Sequence, residues 1–101
     1  MTVGELDEIS YDMEVDGELV RRQLARKIWE RRGWATVMVL FEEKRGDAWQ
    51  PAKLALYRMR HVGDVWKKHA VVTLPGGVAA ELAAEIAKHV IPHVLDGDDD
   101  E

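Results

Sequence analysis

The feature that most constrains the fold is an apolar run at residues 34–41, WATVMVLF, which holds seven apolar residues and one threonine. Because the run is short and rich in β-branched residues, it favours a strand buried on both faces over a helix. Alternate side chains of a strand point to opposite faces of the sheet. We therefore predict a central strand, with a helix of this chain on one face and a partner, a ligand or a second subunit on the other.

An alternating segment precedes this run. Apolar and polar residues alternate over 9–15, which predicts a half-buried strand, and the Asp-Gly pair at 16–17 is typical of a type I′ hairpin turn. The predicted cross-strand pairs are Val15 with Glu18, Met13 with Val20, Asp12 with Arg21 and Ile9 with Leu24. A hairpin in this register places the apolar side chains on one face.

A helix over 18–32 is the alternative for the second arm of this hairpin. Apolar residues recur there at a spacing of four, Asp16 could cap such a helix and Gly33 could end it. The sequence favours the hairpin but leaves both structures open.

Further strands and one helix are predicted in the second half of the chain. Residues 44–51 carry loop signals, residues 53–61 and 65–74 alternate as strands, and Gly63-Asp64 turns the chain between them. The Pro-Gly-Gly at 75–77 starts a helix whose apolar residues repeat every four positions from Val78 to Val90. We expect Pro92 to end or kink that helix.

The predicted fold is α+β: an antiparallel sheet of four to five hairpin-connected strands, followed by one C-terminal helix packed on one face. At 101 residues the chain is expected to form one domain. We divide it into a ragged acidic segment at 1–8, the α+β domain at 9–95 and a disordered acidic tail at 96–101.

Charge is segregated along the chain, although the net charge is only −5. Seven acidic side chains and no Lys or Arg lie in 1–18, and five more acids lie in 96–101. All 14 Lys and Arg lie between them, against seven acids, which gives the middle a net charge of +7. This pattern indicates a basic binding surface with acidic ends that compete for it, although acidic ends that only keep the chain soluble are the alternative.

Basic side chains interleaved with four tryptophans indicate single-stranded nucleic acid as the ligand. Basic side chains at alternating positions of the strands can contact successive phosphates, while aromatic rings stack on bases. The residues that we predict to bind nucleic acid are Arg31, Arg32, Arg58, Arg60, Trp66, Lys67 and Lys68. The alternative is a solvated charged face over a core that contains Trp34 and Trp66.

Enzymatic chemistry is not indicated. The chain has no cysteine, and no paired acids, Ser-His set or phosphate-binding loop stands out. His89 and His93 have the spacing of two ligands on one helix face, but Pro92 lies between them and no third ligand is evident, so we expect no metal and no cofactor. No stretch is long enough to span a membrane and none resembles a signal peptide, so the expected location is the cytoplasm, including the nucleoid.

Three stretches in succession resemble a known family group: WATVMVLF at 34–41, KLALYRMR at 53–60 and WKKHAVVTLP at 66–75 leading into the helix. Their order is similar to the single-stranded-DNA-binding transcriptional regulators, which include the positive cofactor four, Pur-alpha and Whirly families. The resemblance covers about residues 18–92. It implies a curved sheet that binds single-stranded DNA or RNA, a homodimer, and a role in transcription regulation, with Arg58, Arg60, Lys67 and Lys68 on the binding face.

The expected function is therefore non-enzymatic binding of single-stranded DNA or RNA by a basic, aromatic-bearing sheet. The alternative is a homodimeric structural or protein-interaction module without nucleic-acid affinity. Such a module explains the apolar central strand equally well.

Overall fold

The structure, a computed structural model, describes residues 1–94 and contains one antiparallel sheet followed by one helix. The strands are β1 (Thr2–Val3), β2 (Met13–Val15), β3 (Glu18–Arg31), β4 (Trp34–Arg45), β5 (Ala48–Trp49), β6 (Lys53–Val62) and β7 (Val65–Pro75), and the helix is α1 (Gly76–Val94). Their order in the sheet is β1-β7-β6-β4-β3-β2, and β5 pairs only with the end of β4. The predicted α+β class is confirmed, with two short strands, β1 and β5, beyond those that the sequence indicated.

The apolar run lies in β4, between β3 and β6, as predicted for a central strand. Its odd-numbered residues, from Ala35 to Phe41, are buried, because the N-terminal segment covers that face. Its even-numbered residues, from Trp34 to Leu40, are only half-buried. The expected burial on both faces therefore does not occur within residues 1–94 of one chain.

The predicted hairpin is confirmed, and the helix over 18–32 is not formed. Val15 lies opposite Glu18, and Asp16 and Gly17 have φ angles of 52° and 81°. Positive φ at both central residues is what a type I′ turn requires. The pairing beyond the turn differs from the prediction, since an irregularity after Met13 places it opposite Arg21 instead of Val20.

The N-terminal segment closes the core over the odd-numbered face of β4. Leu6 and Tyr11 are buried, and Ile9 is only 1% exposed. A short 3₁₀ helix spans Leu6–Glu8, and residues 9–12 lie across the sheet instead of extending β2. The prediction of a ragged terminus at 1–8 was therefore wrong, because apolar side chains of this segment cover the sheet. The predicted strand at 9–15 was too long, because residues 9–12 also belong to this cover.

Two arginines of β3 hold this segment in place through its carbonyl oxygens. Arg26 Nη1 donates to the carbonyls of Asp7 and Ile9, at 3.0 and 2.5 Å, and Arg21 Nε donates to the carbonyl of Tyr11 at 2.8 Å. The Tyr11 hydroxyl is hydrogen-bonded to the hydroxyl of Tyr57. Burial, together with this hydrogen bond, raises the pKa of Tyr11 above its ordinary value.

A β-bulge in β7 changes which of its side chains share a face. Arg58 of β6 lies opposite Ala70, but its neighbour Met59 lies opposite Lys68, so that His69 is an extra residue. Trp66 and Lys68 therefore share the covered face with Met59, whereas Ala70, beyond the bulge, shares the opposite face with Arg58. Unbroken alternation over 65–74 had predicted that Trp66 and Ala70 share a face, and this was wrong.

The helix α1 starts where predicted but packs only sparsely. Gly76 donates its N–H to the carbonyl of Ala52 at 2.9 Å, and a Cβ at Gly76 would lie 2.6 Å from that oxygen, which explains the glycine. No residue of α1 is buried. Pro92 lies in the last turn, and the helix continues to Val94 instead of ending before it.

One face of α1 carries an exposed apolar stripe, which we call the helix stripe. Its members are 37–47% exposed: Val78, Leu82, Ile86, Val90, Ile91 and Val94. A helix with an apolar stripe normally buries it against other elements. None of the helical segments within residues 1–94 has the length and hydropathy that crossing a lipid bilayer requires.

Candidate nucleic-acid interface

The even-numbered face of β4, which we call the open face, is not covered by the N-terminal segment. Side chains that are paired across β3, β4, β6 and β7 point to this face together. Its apolar half consists of Met38, Leu40, Leu54, Leu56, Val72 and Leu74. The other half is cationic and aromatic and is centred on Trp34.

Trp34 is surrounded by three basic side chains. The Cζ atoms of Arg58 and Arg60 lie 5.0 and 4.9 Å from the centre of its ring, and the ring of His69 meets it edge-on at 5.1 Å. The strand register causes this arrangement, because Trp34 lies opposite Arg60, and Thr36 lies opposite Arg58. Arg58 also donates from Nη1 to the Thr36 hydroxyl at 2.9 Å, which fixes its guanidinium beside the ring.

Three further side chains reach the same region through the register. Trp29 lies opposite Thr36 and is 51% exposed, Arg31 lies opposite Trp34, and Lys67 lies opposite Arg60. We call the whole group the Trp34 cluster, and its members are Trp29, Arg31, Trp34, Arg58, Arg60, Lys67 and His69. A cavity of about 430 Å³ opens within it and is bordered by Trp29, Glu30, Arg31, Trp34, Thr36, Arg58 and, from the end of α1, Val94.

The cluster combines two kinds of recognition chemistry. Guanidinium groups close to an indole ring gain from the cation–π interaction and still present N–H donors for phosphate oxygens. The exposed ring of Trp29 offers a surface on which a nucleobase can stack. Cations and rings at this spacing suit an anionic ligand that has flat, unpaired aromatic groups.

Several other basic residues make ion pairs or ring contacts elsewhere in the fold. Arg22 pairs with Glu42 at 2.8 Å and lies 4.0 Å over the ring of Trp49. Lys44 donates to Glu18 at 2.6 Å, and this hydrogen bond lowers the pKa of the Glu18 carboxyl. With Arg21 and Arg26 holding the N-terminal segment, much of the basic character of β3 serves the structure.

The structure gathers four of the seven predicted binding residues on the open face: Arg31, Arg58, Arg60 and Lys67. Arg32 is an exposed turn residue, with φ of 53°, next to the cluster. Trp66 is only 6% exposed and belongs to the core on the covered face, so its ring cannot stack on a base there. Lys68 lies on the same side as Trp66, opposite Met59, because of the bulge.

Sequence reasoning missed three aromatic members of the cluster: Trp29, Trp34 and His69. One interpretation of the sequence puts Trp34 in the core, although alternation places its side chain on the opposite face of the strand from Val37 and Val39. Combining the β4 and β6 strands in register would have brought it opposite Arg60. His69 is the extra residue of the bulge, and its ring lies against Trp34 on the same face as Lys67.

Within residues 1–94, no group of three or more His, Cys, Asp or Glu side chains converges as a metal site would require. His89, which was considered as a ligand, pairs with Glu85 at 3.0 Å on the exposed helix.

No protein-family model, no curated protein and no solved structure matches this chain.

Proposed function

We propose that this protein binds single-stranded DNA or RNA on the open face of its sheet. The observation that carries the proposal is the Trp34 cluster, in which Arg31, Arg58, Arg60 and Lys67 share one uncovered face with two tryptophans. Cationic grooves with aromatic platforms are the general means of binding single strands. The proposal involves no catalytic step and no cofactor.

Single strands fit this surface better than a duplex does. Bases of a duplex are stacked on one another, so their flat surfaces are not accessible to a tryptophan, whereas an unpaired base can stack on Trp29. The cluster lies on the face of a sheet, whereas reading a duplex through its major groove takes a projecting helix or β-ribbon. The resemblance to single-stranded-DNA-binding regulators supports the same ligand, and we extend the proposal to transcription regulation in the cytoplasm.

A pair of charge reversals tests the proposal. Arg60→Glu places a negative charge in the Trp34 cluster, while Arg45→Glu makes the same change in net charge at the far end of β4. Fluorescence anisotropy with a labelled single-stranded oligonucleotide should show weaker binding by Arg60→Glu than by Arg45→Glu. Equal loss in the two variants would show that only net charge matters and would remove the cluster from the site.

A homodimeric interaction module is the second candidate, and the exposed helix stripe favours it. The chain exposes 7073 Å², against about 5,800 Å² for a compact protein of this mass. The excess is more than the roughly 800 Å² that each partner buries in a standard interface. A second copy that covers the helix stripe would account for it.

Replacing one residue of the helix stripe tests this dimer. Leu82→Glu puts a charge on the stripe, whereas Ala80→Glu puts the same charge on the opposite side of the helix from Val78 and Leu82, because two residues correspond to about 200° of rotation. Light scattering after size exclusion should find a dimer for the parent chain and for Ala80→Glu, but a monomer for Leu82→Glu. A dimer without oligonucleotide affinity would favour the interaction module over nucleic-acid binding, and a monomeric parent chain would exclude the dimer.

A further inference from the structure

The end of α1 brings the C-terminal residues to the Trp34 cluster. Val94 borders the same cavity as Trp29, Arg31, Trp34 and Arg58. The acidic tail, residues 96–101 with the sequence DGDDDE, begins after one further residue. The tail lies outside the described residues, and so does its predicted disorder, but Val94 fixes where it is attached.

We propose that the carboxylates of the acidic tail occupy the Trp34 cluster when no nucleic acid is bound, and that nucleic acid must displace them. The tail would then be a tethered competitor for the positions of phosphates. The contact itself depends only on charge and attachment, whereas its regulatory consequence rests on the proposed function.

Distance and charge both support this occupant. Six residues can extend to about 20 Å, and the attachment point already borders the cavity, so the tail is long enough to reach the basic residues that line it. Five carboxylates would meet the cations of Arg31, Arg58, Arg60 and Lys67. Opposite charges brought this close attract each other, and salt weakens that attraction where the groups are exposed.

The acidic residues near the N-terminus are poorer competitors, because several of them are already bonded within the fold. Glu8 accepts hydrogen bonds from the N–H groups of Gly4 and Glu5, at 2.9 and 3.0 Å. Asp12 accepts from the N–H of Gln23, and Glu18 binds Lys44. The segment from Leu6 to Tyr11 also covers the face opposite the cluster. Of the two acidic ends of the chain, the C-terminal one is attached beside the Trp34 cluster, at Val94.

The size of the effect follows from tethering. A short flexible tether gives an effective concentration in the millimolar range, so a tail whose own dissociation constant is about 0.1 mM would weaken apparent nucleic-acid affinity about tenfold. A contact that is this weak between separate molecules is therefore sufficient for the tail to compete with nucleic acid. Because both contacts are ionic, the difference should shrink as salt is raised.

The experiment compares two variants of the full chain with equal charge changes. The tail variant carries Asp98→Asn, Asp99→Asn, Asp100→Asn and Glu101→Gln, and the control variant carries Glu14→Gln, Asp16→Asn, Asp47→Asn and Glu81→Gln. The control positions lie at the far end of the sheet or near the start of α1. Two quantities are measured at low salt: anisotropy with a labelled single-stranded oligonucleotide, and the indole N–H resonance of Trp34 without nucleic acid, assigned with Trp34→Phe.

We expect the tail variant to bind the oligonucleotide about tenfold more tightly than the parent, the control variant to stay near the parent, and the Trp34 resonance to shift only in the tail variant. A shifted resonance without oligonucleotide binding by any chain would retain the tail contact and overturn the proposed function. Equal binding by all chains with an unshifted Trp34 resonance would overturn the tail contact and retain the proposed function. Equal gains in both variants would reduce the effect to net charge and overturn the tail contact.

Discussion

At the scale of single residues, Trp34 organises the candidate site. The guanidinium groups of Arg58 and Arg60 lie 5.0 and 4.9 Å from the centre of its ring, and Thr36 holds Arg58 by a hydrogen bond. Long basic side chains normally lose conformational entropy when they bind a ligand. Arginines that already rest against a ring lose less, so the cluster is partly organised for binding before a ligand arrives.

Trp29 is the member of the cluster best placed to stack on a base, since half of its surface is exposed. Trp29→Ala should weaken oligonucleotide binding by about 1–3 kcal/mol, as measured by anisotropy, with little loss of stability. Trp49→Ala, which removes the same ring at the far end of β4, is the matched control and should leave affinity unchanged. Equal affinities for the two variants would exclude stacking on Trp29.

The buried tyrosine pair gives the fold a dependence on alkaline pH. Because burial and the bond to Tyr57 raise the pKa of Tyr11, the unfolded chain releases this proton near pH 10, while the folded chain retains it to higher pH. The stabilisation is complete below pH 10 and is lost as pH rises above it. Urea unfolding between pH 9 and 11 should show a steeper loss of stability for the parent chain than for Tyr11→Phe, and parallel profiles would contradict this assignment.

The sequence predicted well what depends on local pattern. Alternation and turn residues located the strands, and the Asp16-Gly17 turn with the pairing of Val15 and Glu18 was correct. It failed where one residue shifts a register: because of the bulge at His69, Trp66 and Lys68 do not lie on the open face. A bulge inserts one residue without a distinctive composition here, so alternation alone could not reveal it.

At the scale of elements, the helix and the N-terminal segment differ most from their predicted roles. The helix, expected to cover the sheet, leaves its stripe exposed, whereas the N-terminal segment, expected to be ragged, supplies Leu6, Ile9 and Tyr11 to the core. Periodicity shows that a segment has an apolar face but does not identify the surface that covers it. Long-range contacts, such as Arg26 with the carbonyls of Asp7 and Ile9, decide that.

Coverage by the N-terminal segment predicts a strong stability effect at Ile9. Ile9→Ala removes a side chain that is 1% exposed and should lower the free energy of unfolding by about 2–5 kcal/mol. Val15→Ala, at an exposed position of the hairpin, should change it by less than about 0.5 kcal/mol. Chemical denaturation measures both values, and a small effect at Ile9 would mean that this segment does not close the core.

At the scale of the whole molecule, the sheet separates two functions by face. The odd-numbered face of β4 is covered and carries the core, while the open face carries the Trp34 cluster at one end and apolar side chains at the other. The net charge of −5 hides this arrangement, because the acidic residues lie mainly at the two ends of the chain. Local charge on the open face, more than total charge, should therefore govern binding of an anionic ligand.

The salt dependence of oligonucleotide binding tests the central proposal most directly. If Arg31, Arg58, Arg60 and Lys67 each neutralise one phosphate of a single strand, the logarithm of the binding constant should fall against the logarithm of salt concentration with a slope of about −3. This slope is measured by anisotropy of the tail variant with a labelled single-stranded oligonucleotide over a series of salt concentrations, because in that variant the carboxylates of residues 98–101 no longer compete for the same cations. A slope near −3 is the predicted result, and a flat dependence, or no binding at the lowest salt, would contradict nucleic-acid binding by the open face.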